Sequence, residues 1–145
     1  MIRNIALAVA LLALIPLAGC KDPYGACAKA DADIAGSIST GFVTVTQLQQ
    51  QGLLSPQEAL NVASYLEFAN RGAEAFGTCI NAAHAAGSKS GAYTACATAF
   101  STKLTAPSEL ALIKVNNPKT QQEVSGLANA VSAGIAALTT GLGGA

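Results

Sequence analysis

The residues that could carry out catalysis are few in this chain. His84 is the single histidine, and no serine lies in a G-x-S-x-G turn that could present a nucleophile to it. Asp31 and Asp33 form a close pair of carboxylates, but side chains two residues apart on a helix point in different directions. No glycine-rich loop has the spacing that binds phosphate. The sequence therefore predicts no catalytic residue, and we expect a protein that is not an enzyme.

Cysteine chemistry is the exception, and its first signal lies at the N-terminus. Arg3 precedes eleven uncharged, mostly apolar residues at 5–15, and the sequence LAGC follows at 17–20. Eleven residues are too few to cross a bilayer, which takes about 20 residues as a helix. They have the length of the apolar segment of a signal peptide. The first residues therefore predict export from the cytoplasm.

The stretch Leu17-Ala18-Gly19-Cys20 resembles the lipobox of bacterial lipoprotein precursors. The resemblance implies that residues 1–19 are a signal peptide removed before Cys20. It also implies that the Cys20 sulfur receives a diacylglyceryl group and that the new amine is acylated, for example with palmitate. Since several acyl chains on one residue give stable attachment, we expect Cys20 to anchor the protein to a membrane. Residues 20–25 would then be the lipidated cysteine and a short linker; an ordinary secretory cut after Ala18 or Gly19 is the alternative.

The same resemblance implies a location in the bacterial cell envelope. In Gram-negative lipoproteins, an aspartate directly after the lipidated cysteine favours retention in the inner membrane. Lys21 stands at that position here, and Asp22 follows it. The resemblance therefore implies the periplasmic face of the outer membrane if the host is Gram-negative.

Three further cysteines, Cys27, Cys79 and Cys96, would enter an oxidising compartment in which disulfides form. Cys79 and Cys96 flank the turn sequence GSKSG at 87–91, and helices on both sides of that turn would bring them together. We favour a Cys79–Cys96 disulfide, with Cys27–Cys79 as the alternative. The remaining cysteine is expected to be a buried, small apolar side chain or to form an intermolecular disulfide. Since no C-x-x-C pair is present, we expect neither a metal site nor a cofactor.

Apolar residues recur every three or four positions along the rest of the chain, which predicts one all-α domain at 26–145. The first helix is expected from Ala26 to a stop at Gly52. The second is expected to begin at a capping box of Ser55 and Glu58 and to run to about Ala86. Its core face is predicted to hold Leu60, Ala63, Leu66, Ala69, Ala73, Phe76, Ile80 and Ala83.

Two more long helices complete a predicted up-and-down bundle of about four. The third follows the GSKSG turn and ends before Pro107, and the fourth begins at about Pro118. Between them, the sequence PSELALIKV at 107–115 is compatible with a brief helix or a strand. No charged residue follows Glu123, and one face of the last helix holds Val124, Leu127, Val131, Ile135, Leu138 and Leu142. We expect this face to pack into the bundle, with insertion into a membrane as the alternative.

The charge content limits the classes of partner. Only 11% of the residues are charged, and the chain left after removal of Arg3 has seven basic and eight acidic side chains. No basic cluster could bind several phosphates, so we expect no nucleic-acid partner. The leading hypothesis is a lipid-anchored, non-enzymatic envelope protein that contacts an envelope protein or itself. The alternatives are a membrane-perturbing lipoprotein that acts through its C-terminal helix, and a carrier of small apolar ligands.

Overall fold

The computed structural model describes residues 22–143, so the expected signal peptide, Cys20 and Lys21 lie outside the described residues. Residues 22–143 form five α-helices and no strand: α1 Pro23–Gln50, α2 Pro56–Ala85, α3 Ser90–Leu104, α4 Pro107–Leu112 and α5 Pro118–Gly143. The predicted all-α class is confirmed. The stretch 107–115, which the sequence left open between helix and strand, begins as the short helix α4.

The four long helices form a ring in which each one packs against its two neighbours. Helix α2 lies between α1 and α3, α5 closes the ring between α3 and α1, and α4 lies against α2. The short connections at 51–55 and 86–89 make α1, α2 and α3 successively antiparallel. The predicted helical bundle is therefore confirmed.

The two ends of the bundle are different. Tyr24, in the first turn of α1, contacts Asn81 and His84 in the last turns of α2; we call this the N-terminal end. At the opposite end, which we call the far end, the backbone N–H of Asn116 donates to the carboxylate of Glu58 at 2.8 Å. Since α2 has 30 residues, the two ends are about 45 Å apart.

The capping box predicted at the start of α2 is present. The Glu58 N–H donates to Ser55 Oγ at 3.3 Å, and the Ser55 N–H donates to Glu58 Oε2 at 2.9 Å. The bond from the Asn116 N–H and the bonds from Ser55 lower the pKa of the Glu58 carboxyl, because all of them stabilise its ionised form. One carboxylate thus ties the α1–α2 connection to the segment that precedes α5.

Helix α1 begins three residues before the predicted Ala26. Asp22 caps it, since the Asp22 carboxylate accepts a bond from the Gly25 N–H at 3.0 Å, and Pro23 takes the first helical position. The linker expected at 20–25 is therefore wrong for residues 23–25, which are helical. The cause is a cap-and-proline pair, the same pattern that Ser55 and Pro56 form at α2.

The buried face of α2 differs from the predicted one at its first turns. Leu60 was expected in the core, but 62% of it is exposed. Ala59 and Val62 take the core positions there, with exposures of 5% and 1%. The positions predicted from Leu66 to Ala83 are buried: Leu66, Ala69, Ala73, Phe76, Ile80 and Ala83.

Glycines allow close approach of the helices at two places. A Cβ atom on Gly41 of α1 would lie 2.9 Å from Leu66 Cδ2, and one on Gly72 of α2 would lie 2.6 Å from Phe100 Cε2. Both distances are shorter than real Cβ contacts. The close α1–α2 and α2–α3 contacts therefore require glycine, which has no side chain, at these two positions.

Candidate functional site

The start of α1 is fastened to α2 at the N-terminal end of the bundle. The Tyr24 ring stacks on the His84 ring, with centroids 3.9 Å apart and planes at 17°. The Tyr24 hydroxyl donates to Asn81 Oδ1 at 3.0 Å. Tyr24 was expected in the linker at 20–25, although its position three residues before Cys27 places it on the helical stripe of α1.

The start of helix α1 after Asp22 limits the distance between the helical domain and Cys20. Asp22, the cap of α1, follows Cys20 by two residues. Two residues span at most about 7 Å. A lipid on Cys20 would therefore hold the N-terminal end of the bundle beside the membrane surface.

Cys27 lies inside this same end of the bundle. Its exposed fraction is 0%, in agreement with the expectation of one buried cysteine. Burial raises the pKa of the Tyr93 hydroxyl, and the nearby ionisable groups of Cys27, Asp22 and Tyr24 raise it further. The ionisable groups of Cys27 on α1 and Tyr93 on α3 therefore interact electrostatically.

A disulfide joins Cys79 of α2 to Cys96 of α3, the pair favoured from the sequence. Their Cα atoms are 5.9 Å apart, within the range for disulfides. Cys79 is exposed and Cys96 is buried. The bridge therefore closes the α2–α3 connection at the N-terminal end of the bundle.

The carboxylate pair and the histidine singled out in the sequence do not converge on one place. Asp31 packs over Gly77 of α2, where burial raises the pKa of its carboxyl, whereas Asp33 is exposed. His84 is exposed and carries the stack with Tyr24. Among residues 22–143, no group of three or more His, Cys, Asp or Glu side chains could hold a metal ion.

Helix α5 uses its apolar face inside the bundle. The exposed fraction is 7% or less for each of Val124, Val131, Ile135, Leu138 and Leu142. In the part of the chain that the structure describes, no helix is long and apolar enough to cross a membrane. Insertion of α5 into a bilayer would first require this face to leave the core.

A narrow apolar cleft follows the seam between α2 and α3. Its volume is about 190 Å³, and the two disulfide cysteines, Phe76, Phe100 and Lys103 contribute to its walls. Phe76 and Phe100 stack with their centroids 5.8 Å apart. Pockets for small molecules typically have about 300–1,000 Å³, so this cleft is smaller than the usual ligand site.

A larger groove opens between α1 and α2 toward the far end, and we call it the α1–α2 groove. One part has about 320 Å³ and is lined by Phe42, Val45, Thr46, Gln49, Pro56, Ala59, Leu60 and Ala63. A second part of about 350 Å³ continues toward the middle of the bundle past Phe42, Glu67, Asn70 and Arg71. Phe42 borders both parts. No sequence pattern predicts this groove, because its walls come from two different helices.

The charge of the residues that line the α1–α2 groove differs between its two parts. The chain has no charged residue from 34 to 57, so the part at the far end is apolar or neutral, and Leu60 projects there. The part near the middle of the bundle carries Glu67 and Arg71, both exposed. The α1–α2 groove thus combines a neutral part at the far end with one acidic and one basic side chain nearer the middle of the bundle.

Comparison with known proteins gives no function for either the α1–α2 groove or the N-terminal end of the bundle. No protein-family model matches the chain, and no curated protein or solved structure is significantly similar to it.

Proposed function

We propose that this protein is a bacterial lipoprotein, anchored in the cell envelope by a lipid on Cys20, which acts by contact with protein rather than by catalysis. The observation that carries the proposal is the sequence Leu17-Ala18-Gly19-Cys20, followed two residues later by the capped start of α1. The signal sequence supplies the anchoring residue, and the folded domain begins directly after it.

This arrangement orients the protein. The N-terminal end of the bundle, with Tyr24 and the α2–α3 turn, faces the membrane, and the far end projects about 45 Å from it. The α1–α2 groove then opens on the side of the bundle, within reach of other envelope proteins. If the host is Gram-negative, we place the protein on the periplasmic face of the outer membrane.

The anchor is tested on the full chain produced in a bacterium that processes lipoproteins. We expect the intact mass of residues 20–145 plus a diacylglyceryl group and an acyl chain, and recovery in the membrane fraction. Cys20→Ser is the control, because a hydroxyl cannot accept this lipid by thioether formation, and its leader should remain uncut before residue 20. An unmodified thiol at Cys20 in the wild-type protein would overturn the proposal.

The mode of action is tested separately. Crosslinking in intact cells through a tagged, lipidated protein, followed by mass spectrometry, should recover a defined protein partner or a second copy. Purified domain assayed on a broad panel of ester, peptide and glycoside substrates should give no turnover above buffer. Sustained turnover that co-purifies with the folded domain and is lost when the domain is unfolded would contradict the non-enzymatic role.

A further inference from the structure

We propose that residues 40–51 of α1 are a strand-forming segment that the bundle holds in a helix. When α1 separates from the bundle, this segment stacks with the same segment of other copies of the chain and forms a cross-β fibril. We call residues 40–51 the β-prone segment. The proposal does not depend on the lipid anchor, since it uses only the residues of α1 and their packing.

The composition of the β-prone segment is that of segments that form fibrils. Its sequence, TGFVTVTQLQQQ, holds three threonines, two valines and a phenylalanine, which favour strands. Its four glutamines have side-chain amides that form hydrogen-bonded ladders between stacked strands. The segment has no proline, and the chain carries no charged residue from 34 to 57. The two features that most often prevent strand stacking, charge and proline, are therefore absent here.

The order of these residues gives a strand two faces that can both pack. Successive side chains of a strand point to opposite faces. One face of the β-prone segment would hold Phe42, Thr44, Thr46 and Leu48, and the other Val43, Val45 and the glutamines at 47, 49 and 51. Since neither face carries a charge, each can form a dry contact with a second sheet.

The same residues have a low intrinsic preference for the helix that they form. Valine and threonine are restricted at χ1 in a helix, and Gly41 adds the conformational entropy of a glycine within a helix. The hydroxyls of Thr40, Thr44 and Thr46 each donate to the carbonyl oxygen four residues earlier, at 2.9–3.0 Å. Such bonds slightly destabilise a helix. The helical state of the β-prone segment therefore depends on tertiary packing.

That packing hides one side of the β-prone segment. Its buried residues are Gly41, Thr44, Val45 and Leu48, whereas Val43 is 56% exposed. The loop closed by the disulfide runs from Cys79 to Cys96 and does not include α1. Helix α1 can therefore separate in a local opening while α2 and α3 stay linked, and the opening exposes the whole segment.

Fibril formation is measured on residues 22–145, which contain the whole bundle. Each protein is incubated at its own urea midpoint, so that equal fractions are unfolded, and is followed by thioflavin fluorescence and X-ray fibre diffraction. The variants are Val43→Lys and Thr46→Lys, which charge opposite faces of the strand at positions that are exposed in the helix. Leu110→Lys is the matched control, because Leu110 is 38% exposed on α4, outside the β-prone segment.

We expect the wild type and Leu110→Lys to form fibrils with the repeat of about 4.7 Å that stacked strands give. Val43→Lys and Thr46→Lys should each lengthen the lag time on the order of ten-fold, because stacking brings identical lysines next to each other. Hydrogen exchange on the wild-type fibrils should show protection over residues 40–51. Circular dichroism without urea confirms that each variant folds.

Wild-type protein that stays soluble at its midpoint, or forms only amorphous aggregate, overturns the proposal. Equal lag times for the wild type and the two lysine variants of α1 would overturn it as well, and so would fibrils whose protected residues lie outside 40–51. None of these results bears on the lipid anchor, which is read from the mass of Cys20 in the natural chain.

Discussion

Removal of the Cys79–Cys96 disulfide should lower stability by an amount that follows from the loop it closes. The two cysteines are 17 residues apart, and a loop of that length restricts the unfolded chain by about 3 kcal/mol. Cys79 is exposed and Cys96 is small, so replacing both with alanine removes little packing. We expect the double variant to lose about 3 kcal/mol of unfolding free energy, or roughly 10 °C in Tm.

The measurement is urea unfolding followed by circular dichroism, with and without a reductant. Reductant should lower the wild-type midpoint to that of the double variant and leave the double variant unchanged. Cys27→Ala is the control, because reductant should lower its midpoint as much as that of the wild type. A reductant effect that persists in the double variant, or none in the wild type, would refute the assigned bridge.

Two further predictions concern packing and pH. Gly72→Ala should destabilise the protein by about 1–3 kcal/mol, because the new Cβ atom would lie 2.6 Å from Phe100 Cε2. Gly36→Ala is the control and should be neutral or stabilising, since nothing lies within 4 Å of its Cβ position. Equal Tm shifts for the two variants would contradict the close α2–α3 contact. Burial raises the pKa of the Asp31 carboxyl, so ionisation of Asp31 destabilises the folded protein as the pH rises. Asp31→Asn should therefore have a higher Tm than the wild type at pH 7, and the two Tm values should become equal in acid. Hydrogen bonds lower the pKa of the Glu58 carboxyl, so its contribution to stability is present above its ordinary pKa and is lost as the pH falls. Glu58→Gln should therefore lower the Tm at pH 7. Both pH predictions are checked by thermal melts between pH 3 and 8, and a Tm change of the same sign for Asp31→Asn and Glu58→Gln would contradict them.

The helices were predictable where local signals agree. Ser55, Pro56 and Glu58 specify the start of α2 by side-chain capping and a fixed proline φ, both of which act within one turn. The disulfide was predictable for the same reason, since the GSKSG turn brings Cys79 and Cys96 together without help from distant parts of the chain.

The core face of α2 was harder to predict because alanine is so frequent. Ala59 and Leu60 lie 100° apart on the helix, and hydrophobicity alone favours the larger side chain as the buried one. The structure buries Ala59, which is in helical phase with the buried residues Val62 and Leu66. Leu60 is left on the surface, and it is this exposed leucine that gives the α1–α2 groove its apolar wall.

The groove itself could not be read from the sequence. Phe42 fits the helical stripe of α1, and Glu67 with Arg71 fits an ordinary exposed helix surface. Only the packing of α1 on α2 places them around one cleft. Sites that depend on the relative placement of two helices carry no signal at a fixed sequence spacing.

The fastening of Tyr24 to Asn81 and His84 has a mechanical consequence. If the lipid proposed on Cys20 were pulled while a proposed partner held the far end, the load would enter α1 along its axis, because only Cys20 and Lys21 would precede the helix cap. The stack of Tyr24 on His84 and its bond to Asn81 then pass part of that load from the first turn of α1 to the last turns of α2. The start of α1 cannot separate from the bundle until these two contacts break.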